Sequence, residues 1–381
     1  MMAELIVALH VSSAKGSDSN PGTVDRPFQS ILKASQVARP GTTVHVAPGT
    51  YRGGFQTTAS GTVNAPIRYV SDVKWGARIV PGSGGGHEAW DNRGSNVVID
   101  GFEIDGSVAG GGKPWLFGLY TAGSNSVVRN MKVHDIARST AAMKVADTGQ
   151  GGAGIMADGW AGGTNMTVIG NEVYDIGPAK RSSGLVHGVY MATSGLVQNN
   201  LVYQIAGDGV TSWHDATDLI IVNNTVFQAR GAGIMIGAGD HYHGDAPHDH
   251  SQVSNNIVYD NRKGIEEHGE LGFHNSYSNN LVYGNRSDWR LRTGKASGSI
   301  GADPGFVNYR KLGGGDYRLT AGSPAVDAGI SESAPATDVR GVPRPQGKSI
   351  DVGAHERVAE SREASDRQSS IRQPATSGRA Q

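Results

Sequence analysis

The sequence predicts an all-β fold, a solenoid in which short parallel strands wind into a stacked coil. Three observations carry this. An Asn recurs in one local setting, with an apolar residue before it and a β-branched or apolar residue two places after it, at Asn130, Asn171, Asn200, Asn224, Asn256 and Asn280. The intervals are 41, 29, 24, 32 and 24 residues, so a floor of 24 returns and the longer ones read as that floor plus an insertion. Around each copy the pattern is a strand-like alternation of four to seven residues bounded by Gly and Asn, with no helical periodicity between copies. Short strands repeating at this period form a parallel β-helix, gaining about 4.8 Å per turn. An Asn at one point of every turn can then bond its counterparts above and below.

Composition agrees. Fifty-six glycines and only seven Phe among 381 residues suit tight turns around a narrow aliphatic core. Charged residues are 18% and the net charge is −1, so no global field favours nucleic acid. With no Cys, disulfides and thiolate metal sites are excluded. No stretch is long enough to span a bilayer, so no membrane insertion is expected. The apolar run Leu5-Ile6-Val7-Ala8-Leu9 lacks a basic flank and reads as a first strand rather than a signal peptide.

Four regions follow in order. Residues 1–50 hold the first strand, a turn-rich stretch, a helix over 29–39 stopped by Pro40-Gly41, and the strand Thr43-Val44-His45-Val46. A helix here is the expected cover for the open end of a coil. Residues 51–300 are the coil, 301–356 a closing segment, and 357–381 a polar tail expected to be disordered.

The run VSSAKGSDSNPGTVDRPFQSILKASQVARPGTTVHVAPGTYRGG resembles the N-terminal cap of the pectin-lyase-like, single-stranded right-handed parallel β-helix superfamily, in particular pectate lyases, chondroitinase B and alginate lyases. Asp303-Pro304-Gly305-Phe306-Val307, the stretch Gly322 to Gly329 and Ile350-Asp351-Val352-Gly353 are similar to its closing segments. The resemblance implies a right-handed coil, and an extracellular or periplasmic protein that acts on a polysaccharide. It does not choose a reaction, because the superfamily holds lyases, hydrolases, epimerases and tailspikes.

The site is read from a second recurring strand, Gly followed by an aliphatic residue, at Gly154-Ile155, Gly188-Val189, Gly209-Val210, Gly233-Ile234 and Gly264-Ile265. From Asn200, Asn224 and Asn256 to the aliphatic residue is ten, ten and nine residues, but 25 from Asn130 and 18 from Asn171. A further insertion follows Ile236. Loops that a coil does not require, gathered at one sheet, read as the walls of a groove. With the aliphatic residue pointing in, alternation puts Met156, Tyr190, Thr211, Met235 and Glu266 outward in one column, then Asp158, Ala192, Trp213, Gly237 and His268. Asp158, Trp160, Arg181, Tyr190, Trp213, His241 and His268 are the expected sugar contacts, rings for C–H faces and polar groups for hydroxyls.

Two chemistries suit such a groove. β-Elimination at a uronate needs a base for the C5 proton, an acid for the leaving O4 and a charge that neutralises the carboxylate. Base candidates are Lys144, Lys180, His187 and His214. The charge comes from Ca2+ on Asp158, Asp215 and Asp240, or from Arg181 or Arg230. Hydrolysis needs two carboxylates, Asp158 or Asp215 with Glu266. Elimination of an acidic extracellular polysaccharide is the leading expectation, hydrolysis the second, and epimerisation or a non-catalytic adhesin the remaining ones. The run Asp240 to His250, with four His and three Asp, also offers a transition metal two His pairs at i, i+2. Glu266 and Glu267 must face opposite ways, so the inward one needs a partner, with Arg230 or Lys263 the candidates.

Overall fold

A computed structural model describes residues 8–82, 86–107, 115–138, 151–179 and 182–358. The described chain is all-β, with three long parallel sheets and one helix. The eleven-stranded sheet runs from Ala8–Val11 to Lys295–Ser297. A nine-stranded sheet, the cleft sheet, runs from Phe55–Thr57 to Trp289–Arg290, and the third runs from Gly49–Arg52 to Leu281–Tyr283. Each turn of chain contributes one strand to each sheet. Inward residues stack like on like: Val128, Val168, Val197 and Ile221 share one register in the eleven-stranded sheet. They form one continuous aliphatic core.

The helix is Ile31–Val37, shorter than the stretch expected. Ser30 caps it, its hydroxyl accepting from Lys33 N at 3.1 Å. Buried Ile31 and Ala34 face the core, and the helix packs on Ala8–Val11 and Phe55–Thr57, the first strands of two sheets.

The Asn ladder runs through five turns. Asn171 Nδ2 donates to Asn200 Oδ1 at 2.9 Å, Asn200 to Asn224 at 2.9 Å, Asn224 to Asn256 at 3.0 Å and Asn256 to Asn280 at 3.0 Å. Each carboxamide oxygen also takes the backbone N–H of the residue one turn earlier, so no buried group is left unpaired. Asn130 is not a member. The register pairs Arg129 with Ile169, which puts Asn130 beside Gly170 and Met131 beside Asn171. Its setting in sequence is shared, but it occupies the neighbouring turn position, with φ of 54°.

That neighbouring position has its own use. Asn199, Asn223, Asn255 and Asn279 all sit there at left-handed φ, which Asn tolerates. Their amides donate outward to carbonyls of the C-terminal segment: Thr337 at 2.6 Å, Asp351 at 2.9 Å, Ile330 at 2.8 Å and Ala328 at 3.1 Å. Arg344 and Glu356, both fully buried, pair at 2.9 Å within this segment, and Arg344 also donates to Asp351 O and Gly353 O. On the outer face of the third sheet His134, Tyr174, Tyr203 and Phe227 stack with centroids 4.9–5.0 Å apart, which makes His134 structural.

Replacing Asn224 with Ala strips a partner from Asn200 N and Nδ2 and from the oxygens Val197 O, Val222 O and Asn256 Oδ1 at once. At about 1–3 kcal/mol for each orphaned group, the variant should lose about 3–5 kcal/mol. The check is the urea unfolding midpoint, with Asn130→Ala as the mild comparison.

Candidate active site

The cleft sheet carries the site. Its glycines explain how. A Cβ on Gly188 would lie 2.6 Å from Val202 Cγ1, and one on Gly209 2.3 Å from Val226 Cγ1. Gly233 and Gly264 have the same inward approach to Val258 and Val282. Both the Gly and the aliphatic residue after it face the core, so each strand bends there. The residue before the Gly is thereby turned outward, on the same face as the residue two after it. Val189, Val210, Ile234 and Ile265 pair in one inward column, and Tyr190, Thr211, Met235 and Glu266 pair in the outward column that the sequence indicated.

The bend adds a second outward column that simple alternation does not yield, with His187, Asp208, Ala232 and Lys263 before the four glycines. His187 and Lys263 pair with Ala153 and Ala232 of their neighbours. Over these strands lies a cleft of about 410 Å³, lined by both columns apart from Ala232 and by Trp213, His268, Asp240, Arg230, Arg262 and the loop 182–185.

His187 and Asp208 face each other across adjacent strands, Nδ1 to Oδ2 3.4 Å, and that nitrogen is buried without a well-formed hydrogen bond. Asp208 Oδ1 accepts from Ala232 N at 2.6 Å. Burial raises the Asp208 carboxyl, but His187, Ala232 N and Lys263 together hold it below its ordinary value, so it is ionised. Tyr190 packs against the His187 ring, centroids 5.0 Å apart, and burial with the charges of Asp158 and Asp240 raises its hydroxyl, which stays protonated. Thr211 Oγ1 is buried in the cleft floor with no partner.

On the next wall, Lys263 Nζ sits 2.6 Å from Glu266 Oε2, and Arg290 Nη1 3.4 Å from Oε1. Arg230 is anchored by a bond to Ala179 O and lines the cleft beside Arg262. Trp213 stacks on His268 at 5.7 Å and donates to Asp240 Oδ2 at 3.2 Å.

Other sequence candidates lie elsewhere. Asp215 accepts from Tyr242 N and His243 Nδ1, both at 2.8 Å, with His241 Nδ1 at 3.5 Å and Glu270 on the far side of that ring. It anchors the 240–250 loop rather than a reaction. His214 donates Nδ1 to Asp240 O at 2.7 Å and stacks on Tyr242 at 4.0 Å, and Trp160 meets Tyr242 edge-on at 5.0 Å. Asp158 is buried, bonded to the Tyr120 hydroxyl and to Trp160 N. Lys144, Lys180 and Arg181 lie outside the described residues.

Two expectations are therefore corrected. Asp158 and Glu266 are four strand spacings apart, about 19 Å, far beyond the span of a glycosidase pair. Asp215, two spacings away, is committed to its loop, and Glu266 to two cations. Ca2+ on Asp158, Asp215 and Asp240 does not fit either. Among the described residues, the three are not among the groups whose ligand atoms converge.

The inward glutamate is Glu267. Its partners are Tyr277 Oη at 2.9 Å and the backbone N–H groups of Arg292, Thr293 and Gly294, which outweigh burial and hold its pKa down. Lys263 serves the outward Glu266 instead. Asp208 and Arg262 were missed, and Lys263 was read only as a partner for an inward glutamate; Asp208 and Lys263 share one readable signal, since each precedes the Gly of a repeat strand, as His187 does.

Comparison with known proteins agrees with this architecture. Residues 14–58 match a family described as a protein of unknown function, DUF1565. A stretch of 57 residues is 42% identical to the uncharacterized protein YwoF of Bacillus subtilis, and 99 residues are 36% identical to pectate lyase PEL9 of Emericella nidulans. These cover 15% and 26% of this chain, and 12% and 19% of those relatives. Pectate lyase Pel9A superimposes with a TM-score of 0.61 at 17% identity, over 92% of this chain and 96% of that one. An alginate lyase from Paenibacillus sp. gives 0.54 at 15% identity, over 77% and 94%. The fold is a right-handed parallel β-helix like that of these two structures.

Beneath the cleft, His248 is wholly buried between Ser251 Oγ at 2.7 Å and Ser212 Oγ at 3.4 Å, and burial pushes its pKa down to about 4. The folded state holds it neutral, so its contribution is complete above pH ~6.5 and is lost as pH falls from there to about 4. The loss is on the order of 3 kcal/mol. Unfolding midpoints across this window should fall more steeply for the natural chain than for His248→Gln.

Proposed function

We propose that the chain is a polysaccharide lyase that binds an acidic, uronate-containing polymer in the cleft and cleaves it by β-elimination. The observation that carries this reading is the meeting, on one face, of an Asp-backed histidine, a protonated tyrosine and the guanidinium groups of Arg230 and Arg262. The likeness to pectate and alginate lyases supports it, and a polymer substrate implies an extracellular or periplasmic location.

The assignment follows from what each group can do. The C5 proton of a uronate is acidic enough only when its carboxylate is neutralised, and a guanidinium offers two parallel donors for that purpose. Arg230 and Arg262 take this role. Asp208 faces His187 Nδ1 and favours the tautomer with the proton there, leaving the Nε2 lone pair as base. Their 3.4 Å separation shortens as the imidazolium forms. The C5–H electrons become the C4=C5 double bond, the C4–O4 bond breaks, and O4 takes the Tyr190 proton. Solvent then restores Tyr190 and takes the proton from His187. Lys263 is tied to Glu266 at 2.6 Å, and the pair acts as a wall that positions the polymer.

The first test is the ultraviolet absorbance of the unsaturated uronate on pectate, alginate, glucuronan and glycosaminoglycans. On the responding polymer, His187→Ala should lower kcat by about 10³-fold, while the thermal midpoint is retained. Because guanidinium rather than Ca2+ neutralises the carboxylate, a calcium-selective chelator should leave the rate unchanged. New reducing ends without ultraviolet absorbance would sink elimination, and full turnover by His187→Ala would remove His187 as base.

A further inference from the structure

Away from the cleft, the chain crosses from the cleft sheet to the eleven-stranded sheet once per turn. Counting back from the paired strands, the same crossing position is held in succession by Asn96, Asn125, Asn165, Ser194, Asp218, His250 and His274. The early members form an exposed amide ladder, Asn125 Nδ2 donating to Asn96 at 3.3 Å and Asn165 Nδ2 to Asn125 at 2.8 Å. From Asp218 onward the amides give way to groups that bind metals.

The last two members stack in register one turn apart, and a carboxylate stands beside both. The imidazoles of His250 and His274 lie parallel, 1° apart in plane and 4.6 Å between centroids. Asp249 reaches both: its Oδ2 is 2.7 Å from His274 Nδ1 and 3.7 Å from His250 Nε2, while Oδ1 accepts from His274 N at 2.7 Å. One donor atom from each residue lies within 4.8 Å of the other two. The backbone bond to Oδ1 fixes the carboxylate, while Oδ2 is hydrogen-bonded to His274 Nδ1, a contact that an ion would replace by taking the place of the shared proton. We propose that Asp249, His250 and His274 form a binding site for a divalent transition metal of the zinc class, which clamps two successive turns of the coil.

The donor set fits such an ion. Two imidazole nitrogens and one carboxylate oxygen suit zinc and its neighbours in the first row, and leave a fourth position to water. At metal–ligand distances of about 2.0–2.1 Å, tetrahedral donors stand about 3.3 Å apart. The Asp249–His274 contact would open by about 0.6 Å and the Asp249–His250 contact would close by about 0.4 Å. The observed rings are parallel, so both must also turn out of the stack to aim a nitrogen at one ion, and their side chains, 61% and 66% exposed, leave room for that rotation. The 240–250 run does not supply this site from its own i, i+2 pairs. His248 is buried against Ser251 and Ser212, and His241 and His243 are bound to Asp215.

The test titrates Zn2+ alone into the chelator-treated, dialysed full chain by calorimetry, with Co2+ absorbance to report the donor set. One equivalent should bind saturably near neutral pH and raise the thermal midpoint by several degrees, and binding should weaken as acid protonates the imidazoles. His250→Asn and His274→Asn return the column to the amide of earlier turns, so the fold is kept. Each should weaken binding by about 100-fold or more. His241→Asn and His243→Asn should leave it unchanged, and lyase turnover should be indifferent to all Zn2+ additions at one equivalent. Absence of a saturable equivalent, or binding that follows His241 and His243 instead, would overturn the site.

Discussion

A stack of parallel strands has no freedom over what lies above each side chain: it is the same position of the next turn. That constraint governs everything else in this molecule. It rewards residues that bond their own kind, and Asn does so best, because its carboxamide donates upward and accepts from below while closing the backbone N–H of the adjacent turn. Aliphatic side chains obey it by stacking into one core, and His134, Tyr174, Tyr203 and Phe227 obey it with parallel rings. Chemistry must fit the same frame. A cleft on such a coil is assembled from columns, so its catalytic groups come from different turns and meet at multiples of the strand spacing.

This frame accounts for what could be read in the sequence. The repeat, the strand alternation and the outward column Met156, Tyr190, Thr211, Met235 and Glu266 were all legible, since a period-two pattern survives in one dimension. The bend at each Gly was not. Whether Gly188 turns in or out depends on Val202, across the core on the strand Leu201–Ile205 of the third sheet, a contact that sequence spacing does not encode. The second outward column therefore stayed hidden, and with it Asp208 and the outward placement of Lys263. Asn130 erred in the opposite direction: its local setting matches the ladder, but register with Asn171 is offset by one residue.

Side-chain partners were the least legible layer. Asp158, Asp215 and Asp240 look equivalent as acids in a list. Their fates diverge because Tyr120, the Tyr242 amide and Trp213 happen to lie beside them. Glu266 and Glu267 differ for the same reason, one facing Lys263 and Arg290, the other closed by backbone N–H groups.

The strap of C-terminal chain has a further consequence. In a solenoid each turn touches only its neighbours, so disorder at one end can travel inward turn by turn like an opening zipper. Asn199, Asn223, Asn255 and Asn279 lie on four successive turns and all hold the same strap, through bonds reaching as far as 138 residues along the chain. Long loops of this kind cost little extra entropy once closed, because the cost grows only with the logarithm of length. The strap couples turns that would otherwise fray singly, and it crosses the stretch of coil that carries Asp208, Arg230, Lys263 and Glu266. The most geometrically demanding part of the molecule is thereby the part least able to come apart one turn at a time.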